Sequence, residues 1–288
     1  METIVQFFET IPASYRTLAL SLGLIFFWTL EGLIPLFSFS YRKWRHAGMN
    51  LFLTLLQFAV GLTFASLIIW AADYTVANQF GLLYLVDLPL WLHVILGIFL
   101  LDLIGAWLIH WVEHHVRWMW KIHLIHHTDT TIDVTSGLRH HPGETILRSS
   151  FGLLAVLIAG VPIGVFFIYQ TLSILFAQIT HANVRSHLRV DEILSWIFVT
   201  PNMHKVHHHY KQPLTDTNYG NIFSIWDRMF GTFARVGNPA DLTYGIDTHM
   251  SPEDYGSVWN LLTIPFQKYR APDGSKFSDE TSEKPASL

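Results

Sequence analysis

Histidine is concentrated in one part of the sequence. The chain contains 17 histidines, and 14 of them lie between residues 110 and 209. Three short clusters repeat a spacing of three or four residues: HWVEH at 110–114, HLIHH at 123–127 and HKVHH at 204–208. On an α-helix this spacing puts side chains on one face. Each cluster therefore predicts a helix that presents two or three imidazoles in one direction, which is the arrangement of a metal site.

The helical faces select the histidines that are predicted to bind metal. Together with the isolated His181, they are His110, His114, His123, His126, His127, His181, His204, His207 and His208. A zinc site takes about four ligands, of which about three come from the protein when the site is catalytic. Nine imidazoles therefore indicate two ions. Imidazole binds iron, zinc and copper alike, so the ligand type leaves the metal open.

The remaining histidines fall outside these faces. His115 and His209 each follow a cluster histidine by one residue, about 100° around a helix, and are predicted to lie behind the ligands or at the surface. His140 and His141 stand in a loop before Pro142, and their participation in the metal site is left open. Ordinary structural positions are expected for His46, His93, His187 and His249.

The spacing between the first two clusters requires a change of chain direction. His114 and His123 are nine residues apart, about 900° of helix, so one straight helix would point them in opposite directions. A bend is therefore predicted within residues 117–121. The third cluster follows Thr200 and Pro201, a capping residue and a proline at the first helical position, which predicts a new helix there.

The elements that carry these clusters are predicted to be membrane helices. The chain is 51% hydrophobic and 14% charged, whereas a soluble domain carries about 25% charged residues. Residues 18–39, 51–72 and 88–109 are each apolar enough to span a bilayer, and residues 146–180, interrupted at Pro162, predict a hairpin of two helices. We expect an all-α integral membrane bundle of four to five membrane segments with a histidine-rich helical cap.

Charge predicts the orientation and excludes some functions. The loop at 41–50 carries Arg42, Lys43 and Arg45, whereas residues 73–87 carry no lysine or arginine, so the first loop and the histidine region are expected in the cytoplasm. A net charge of −4 argues against nucleic acid as a partner. The chain has no cysteine, which excludes disulfides and thiolate ligands. Residues 271–288 are predicted to be disordered.

Carboxylates near the clusters are candidates for holding the ligands. A metal-binding histidine usually donates its second ring N–H to a carboxylate or carbonyl, and Glu113, Asp129, Asp216 and Asp227 are the candidate acceptors. Glu31 and Asp102 lie inside apolar segments, where a charge is costly. Structural and functional roles are both open for these two.

A metal site where a cap meets membrane helices predicts a lipid substrate. Oxidation of an unactivated C–H bond needs a redox metal and dioxygen, which favours iron. The alternative is a histidine-rich membrane metal transporter or sensor. A transporter is expected to hold its ligands near mid-membrane, whereas these histidines follow the predicted spans, which favours an enzyme.

The three boxes, in this order, resemble the fatty acid hydroxylase/sterol desaturase superfamily of membrane di-iron oxygenases. The resemblance covers about residues 99–233 and includes THANVR around His181 and DTNYGNIFSIWDRMFGTF at 216–233. The stretches TSGLRHHP and PNMHKVHHHY are more similar to the bacterial and alkylglycerol monooxygenase-like branches.

This resemblance implies two iron ions, dioxygen, and hydroxylation or desaturation of a lipid. It also implies an external electron donor, a cytochrome b5- or ferredoxin-type reductase chain, and the sequence contains no nucleotide or haem-attachment motif of its own. The expected location is the bacterial inner membrane, with the active site facing the cytoplasm. The expected organisation is membrane helices at 1–98, a di-iron domain at 99–235 and a cytoplasmic extension at 236–288.

Overall fold

The chain folds into helices throughout residues 1–277, the part that the computed structural model describes. In chain order the α-helices are α1 (Glu2–Thr10), α2 (Ala13–Leu33), α3 (Lys43–Asn78), α4 (Leu90–Asp102), α5 (Ile109–His115), α6 (Arg117–His127), α7 (Pro142–Ala159), α8 (Ile163–His181), α9 (Leu188–Leu194), α10 (Pro201–His207), α11 (Ile225–Met229), α12 (Pro252–Tyr255) and α13 (Val258–Thr263). Within these residues β-structure is limited to isolated bridges. The prediction of an all-α fold is confirmed.

Five helical stretches among the described residues are long and apolar enough to cross a bilayer. They are Ala13–Leu33, Lys43–Tyr84, Leu90–His115, Pro142–Ala159 and Ile163–His181. Large apolar side chains stand exposed on their outer faces, for example Phe26 at 60% and Leu55 at 67%. An apolar surface of this extent is typical of a membrane or protein interface. The arrangement agrees with the predicted bundle of four to five membrane segments.

The last two spans form the predicted hairpin. Its turn, Gly160–Pro162, packs on the loop that follows α3, at the end of the bundle away from the histidines. Gly160 has φ +76°, and a Cβ atom there would lie 2.4 Å from the carbonyl oxygen of Phe80. Only glycine allows this approach. The hairpin places α7 along α3 and brings α8 into contact with α1, α2 and α4.

The third span changes its helical form just before the first histidine cluster. Helix α4 continues through a π-helical segment, Leu103–Leu108, into α5. Such segments are rare and recur at functional sites. The carboxylate of Asp102, at the start of this segment, accepts hydrogen bonds from the backbone N–H groups of Ile222 and Phe223 and from the indole N–H of Trp226. Asp102 therefore anchors the loop after the third cluster, which is a structural role.

Glu31 also has a structural role. Its buried carboxylate accepts the backbone N–H of Asn183 at 2.8 Å and the backbone N–H of Val134, and it pairs with Lys43 at 2.9 Å. These contacts fix the chain directly after His181. The charge inside the apolar segment is thus satisfied by neighbours from three other parts of the chain.

The predicted bend between the first two clusters is present, one residue before the predicted window of 117–121. Helix α5 ends at His115 and α6 begins at Arg117, because Val116 adopts an extended backbone with φ −116° and ψ 110°. An extended conformation suits a β-branched residue. The single extended residue turns α6 so that both clusters face the same space.

The C-terminal part of the described chain covers the cap. Ile246, Leu261 and Tyr269 pack with Trp120 and Leu124 of α6 in one buried cluster. Phe277 packs at the edge of this cluster, and Ser275 is buried. The disorder predicted for residues 271–288 is therefore wrong for 271–277, because this stretch finds an apolar surface on α6. The rest of that prediction lies outside the described residues.

Candidate metal centre

The structure brings all nine sequence-predicted histidines together in two adjacent groups. One group contains His110, His114, His123, His127 and His207, and the other contains His126, His181, His204 and His208. The available ligand atoms of each group lie within 4.8 Å of one another. All nine side chains are buried. The rings of His127 and His208, one from each group, are 5.0 Å apart, so the two groups share a boundary.

Four elements supply these rings. Helix α5 carries the first pair, α6 carries the HLIHH trio, and α8 ends on His181. Helix α10 carries His204 and His207, and His208 is its C-cap residue. Helix α10 begins as predicted, with the hydroxyl of Thr200 accepting the backbone N–H of Met203 at 3.3 Å and Pro201 in the first position. The trio on α6 serves both groups, since His123 and His127 face one and His126 faces the other.

Hydrogen bonds at Nδ1 fix the orientation of five of the rings. His110, His181 and His207 donate to backbone carbonyls, those of Tyr219 at 2.8 Å, Ala177 at 2.8 Å and Thr217 at 2.7 Å. A carbonyl oxygen can only accept, so the proton is on Nδ1 and Nε2 carries a free lone pair. Carboxylates hold the other two: His114 pairs with Asp216 at 2.9 Å, and His123 pairs with Glu144 at 2.9 Å.

The Nε2 atoms of several rings converge at distances that suit a shared cation. The Nε2 atoms of His110 and His123 are 3.1 Å apart, although both rings carry their proton on Nδ1. In the second group, Nε2 of His181 lies 3.0 Å from Nε2 of His204 and 3.2 Å from Nε2 of His208. Two nitrogens bound at right angles to one ion at about 2.1 Å are about 3.0 Å apart. The observed spacing fits a shared metal ion.

Further ring nitrogens in the first group are buried without any protein partner. Nε2 of His114, His127 and His207 makes no hydrogen bond. Leaving a buried polar atom unsatisfied costs about 1–3 kcal/mol. Three unpartnered ring nitrogens that face one space indicate a site for an electron-pair acceptor. A metal ion is such an acceptor.

Burial keeps the cap histidines in the neutral form that binds metal. Desolvation lowers the pKa of His123 to about 3 and holds the pKa values of His127 and His204 well below the ordinary value. The same cause acts on the pKa of His208. Neutral imidazole is the metal-binding form. The fold therefore holds these rings in the form that can bind an ion.

An ion cluster of two buried carboxylates and the partly exposed Arg148 supports the ring of His123. The guanidinium of Arg148 contacts Glu113 Oε2 through Nη2 at 2.6 Å and Glu144 Oε1 through Nε at 2.7 Å. Glu144 Oε1 also lies 2.9 Å from Nδ1 of His140, whose ring stacks on His126 at 4.3 Å. His140 therefore borders the site beside Glu144.

The other open residue, His141, does not reach the site. Its Nδ1 accepts the backbone N–H of Gly143 at 2.9 Å and caps α7. His115 stacks on Trp111 at 4.1 Å and donates to its carbonyl, away from the clusters, as predicted. His93 lies at the far end of the bundle, 2.9 Å from the carbonyl of Gly160.

Two of the four candidate carboxylates are confirmed as neighbours of a cluster ring. Asp216 holds His114, and Glu113 Oε2 lies 3.6 Å from Nδ1 of His123. The prediction for Asp129 is wrong, because its carboxylate pairs with His46 at 2.8 Å and accepts the hydroxyl of Ser136.

The prediction for Asp227 is also wrong. It accepts the backbone N–H groups of Tyr219 and Gly220, at 2.8 and 2.9 Å, and the indole N–H of Trp107. Burial raises the pKa of Asp227 to about 6. Its effect on the site is indirect, since it positions the loop whose carbonyl holds His110.

A cavity of about 410 Å³ begins at both histidine groups and continues among the membrane helices. His110, His123, His126, His181 and His204 line one end of it. The segments 88–109 and 146–180 supply much of the remaining wall, and α3 supplies a further part. The arrangement can hold an extended molecule with one end beside the histidine groups.

Comparison with known proteins finds a family match for the central segment. Residues 94–232 match the model of the fatty acid hydroxylase family. The matched segment contains both histidine groups. No solved structure gives a significant match to the chain.

The related proteins are lipid-modifying enzymes. The ornithine lipid hydroxylase OlsE of Rhizobium tropici is 29% identical over 55% of this chain and 46% of its own length. Alkylglycerol monooxygenases of Xenopus tropicalis and Caenorhabditis elegans are 31% and 26% identical, over 50% and 53% of this chain and 31% and 30% of theirs. The chain thus matches less than half of each of these relatives.

Proposed function

We propose that this chain is a membrane lipid hydroxylase that uses dioxygen at a di-iron centre held by the nine histidines. The observation that carries the proposal is the pairing of five and four imidazoles at the end of a cavity that runs among membrane helices. An octahedral ion takes about six ligands, so both groups leave ligand positions for other molecules. The cavity would bring a lipid to those positions.

Iron bound there would supply the reductive activation of dioxygen that attack on an unactivated C–H bond requires. The residues of the chain hold the ligands in place and limit access of water. Carbonyl and carboxylate acceptors fix the rings of His110, His114 and His123. The nine histidines are at most 6% exposed. Exclusion of water protects a strong oxidant from wasteful side reactions.

The relatives support hydroxylation in particular. Their names describe an ornithine lipid hydroxylase and alkylglycerol monooxygenases, both acting on lipids. Because the match spans less than half of these proteins, the substrate is proposed here at the level of its class. The electrons come from an external donor, which we take to be a cytochrome b5- or ferredoxin-type reductase chain.

We further propose a bacterial inner-membrane location with the metal centre facing the cytoplasm. The Lys/Arg asymmetry supports this orientation. It also agrees with the position of α6 and α10, which together with the C-cap residue His208 carry six of the nine histidines and are not among the membrane-length stretches. A transporter would hold its ligands at mid-membrane, so this position favours the enzyme over the transporter alternative.

Mass spectrometry of membrane lipids tests the proposed function. Cells that express the wild type should contain a lipid with one added oxygen, and cells that express His207→Ala should lack it. His209→Ala is the matched control, because His209 is outside both groups and should leave the product in place. The same lipid profile for wild type and His207→Ala would refute the proposal.

A further inference from the structure

An exposed apolar surface lies on the two loops that precede and follow α10. Six large apolar side chains of α9, the turn after it and the end of α11 are 51–70% exposed: Val190, Ile193, Trp196, Ile197, Met229 and Phe230. Asp191 and Ser195 of the same stretch are buried instead. The guanidinium of Arg228 lies 4.1 Å from the ring of Trp196 and joins the two loops. A patch of this kind, the α9–α11 surface, marks a contact with a membrane or a protein.

The contacts of α11 with the third span show how deep this surface lies. The ring of Phe223, just before α11, stacks on Phe99 at 4.1 Å. The ring of Phe230 stacks on Trp107 at 4.4 Å. The span begins at Leu90, so Phe99 and Trp107 are about 14 and 26 Å along it. A hydrocarbon core is about 30 Å thick. Both contacts therefore lie at membrane depth, between the middle of the bilayer and the side of the histidines.

The loop that contains α9 reaches the same depth. The ring of Phe198 lies 5.9 Å from that of Phe223 and 5.6 Å from that of Phe176 on α8. Phe176 is five residues before His181 on the same helix, about 8 Å further into the span. The chain therefore passes below the level of the histidine groups after α9 and returns to them through α10.

The backbone where the two loops meet is suited to a lipid environment. The backbone N–H groups of Val199 and Ser224 donate to the carbonyls of Ile222 and Ile197, at 2.9 and 3.0 Å. The carbonyl of Ser195 accepts the hydroxyl of Ser224 at 2.6 Å. In hydrocarbon, backbone polar groups must find their partners within the protein. These contacts provide such partners although the loops are neither a long helix nor a closed sheet.

The charged residues at the edge of the surface are mainly basic. Arg185 stands where the first span ends, because its backbone N–H donates to the carbonyl of Ile34 at 2.9 Å. Arg189 is exposed in the first turn of α9. Glu192 is also exposed, and its carboxylate pairs with Arg235 at 3.4 Å. Long basic side chains at the end of a span reach the phosphate groups of lipids.

We infer that the α9–α11 surface is embedded in the leaflet on the histidine side of the bilayer, which is the cytoplasmic leaflet in the proposed orientation. Its apolar side chains contact acyl chains, and the arginines at its edge contact lipid phosphates. The segment between His181 and His204 is thus held by lipid on one side and by the cap on the other. The inference rests on exposure and depth, and it is independent of the reaction.

Spin labels on single introduced cysteines test this position directly, because the chain has no cysteine of its own. The test sites are Ile193→Cys and Phe230→Cys. Leu55→Cys is the membrane reference, since Leu55 is 67% exposed on the second span. Lys211→Cys is the water reference, since the Lys211 side chain is 47% exposed in the cap. The full chain is placed in vesicles of phosphatidylcholine and phosphatidylglycerol. Electron paramagnetic resonance then measures collisions of each label with dioxygen, which enters hydrocarbon, and with a polar nickel chelate, which does not.

The ratio of dioxygen to nickel collisions should be at least about tenfold higher at both test sites than at Lys211, because the chelate loses its hydrogen bonds to water in hydrocarbon. It should approach the ratio at Leu55. A ratio equal to that at Lys211 would place the surface in water and overturn the inference. Low collision rates with both reagents would mean that protein, such as a second copy of the chain, covers the surface, and would also overturn it. If one test variant does not fold, the other decides.

Discussion

The Glu144→Gln substitution tests whether the negative charge of Glu144, rather than the shape of its side chain, supports the metal ligand His123. The Glu144 carboxylate is fully buried. Its Oε1 atom accepts Nδ1–H of His123 at 2.9 Å and Nε–H of Arg148 at 2.7 Å. Glutamine has nearly the same shape and keeps an oxygen acceptor, so the substitution mainly removes the negative charge.

The magnitude follows from these two contacts. A hydrogen bond to a charged group contributes about 1.5–3 kcal/mol and a neutral one about 0.5–1.5 kcal/mol. Each contact therefore loses about 1 kcal/mol or slightly more, in total about 2–3 kcal/mol. The part of this loss that belongs to the His123–Glu144 contact weakens the binding of metal by His123. We expect the metal affinity to fall about tenfold or more, as for other residues that support metal ligands.

Anaerobic competition between the protein and a ferrous chelator measures this loss. Glu192→Gln is the control, because its carboxylate is 60% exposed and lies 3.4 Å from Arg235, a pair worth about 0–1 kcal/mol. The control should leave iron affinity unchanged. If Glu144→Gln binds iron as tightly as the wild type, the claim that the Glu144 charge supports the His123 ligand is refuted.

Three further predictions concern the metal content, the pH dependence and the topology. Iron analysis should find about two ions per wild-type chain and fewer in His127→Ala, whereas the exposed His187→Ala should match the wild type; one ion or none in the wild type would contradict the two-ion proposal. Because burial holds the pKa of His127 and the pKa of His208 well below 6.5, the unfolded chain takes up more protons than the folded chain below that pH. The stability of metal-stripped protein is therefore complete only above about pH 7.5 and should fall by about 1 kcal/mol per buried histidine between about pH 7.5 and 5.5; an equal melting temperature at both pH values would refute this. In intact cells an impermeant thiol reagent should label a cysteine at Phe80 and not one at Lys211, and labelling at Lys211 would overturn the orientation.

The sequence was sufficient to predict the histidine groups because helical spacing is a local property. The faces of α5, α6 and α10 follow from distances of three and four residues. The half-turn mismatch between His114 and His123 even required the bend that Val116 provides. The residues that hold the ligands were harder to find.

Backbone acceptors and distant carboxylates leave no signal in the spacing. The carbonyls of Tyr219 and Thr217 hold His110 and His207, and any residue type supplies a carbonyl. Glu144 stands 21 residues after His123, and only the fold of the hairpin brings it near. Proximity in sequence suggested Asp129 instead, but its carboxylate points toward His46 on α3.

The central claim is that this chain inserts oxygen from dioxygen into a lipid. The most direct test supplies oxygen-18-labelled dioxygen and an electron-donor system to membranes that contain the protein, and analyses the lipids by mass spectrometry. The account predicts a hydroxylated lipid that carries the heavy isotope and is missing in His207→Ala membranes. A hydroxylated product whose oxygen comes from unlabelled water would contradict the account.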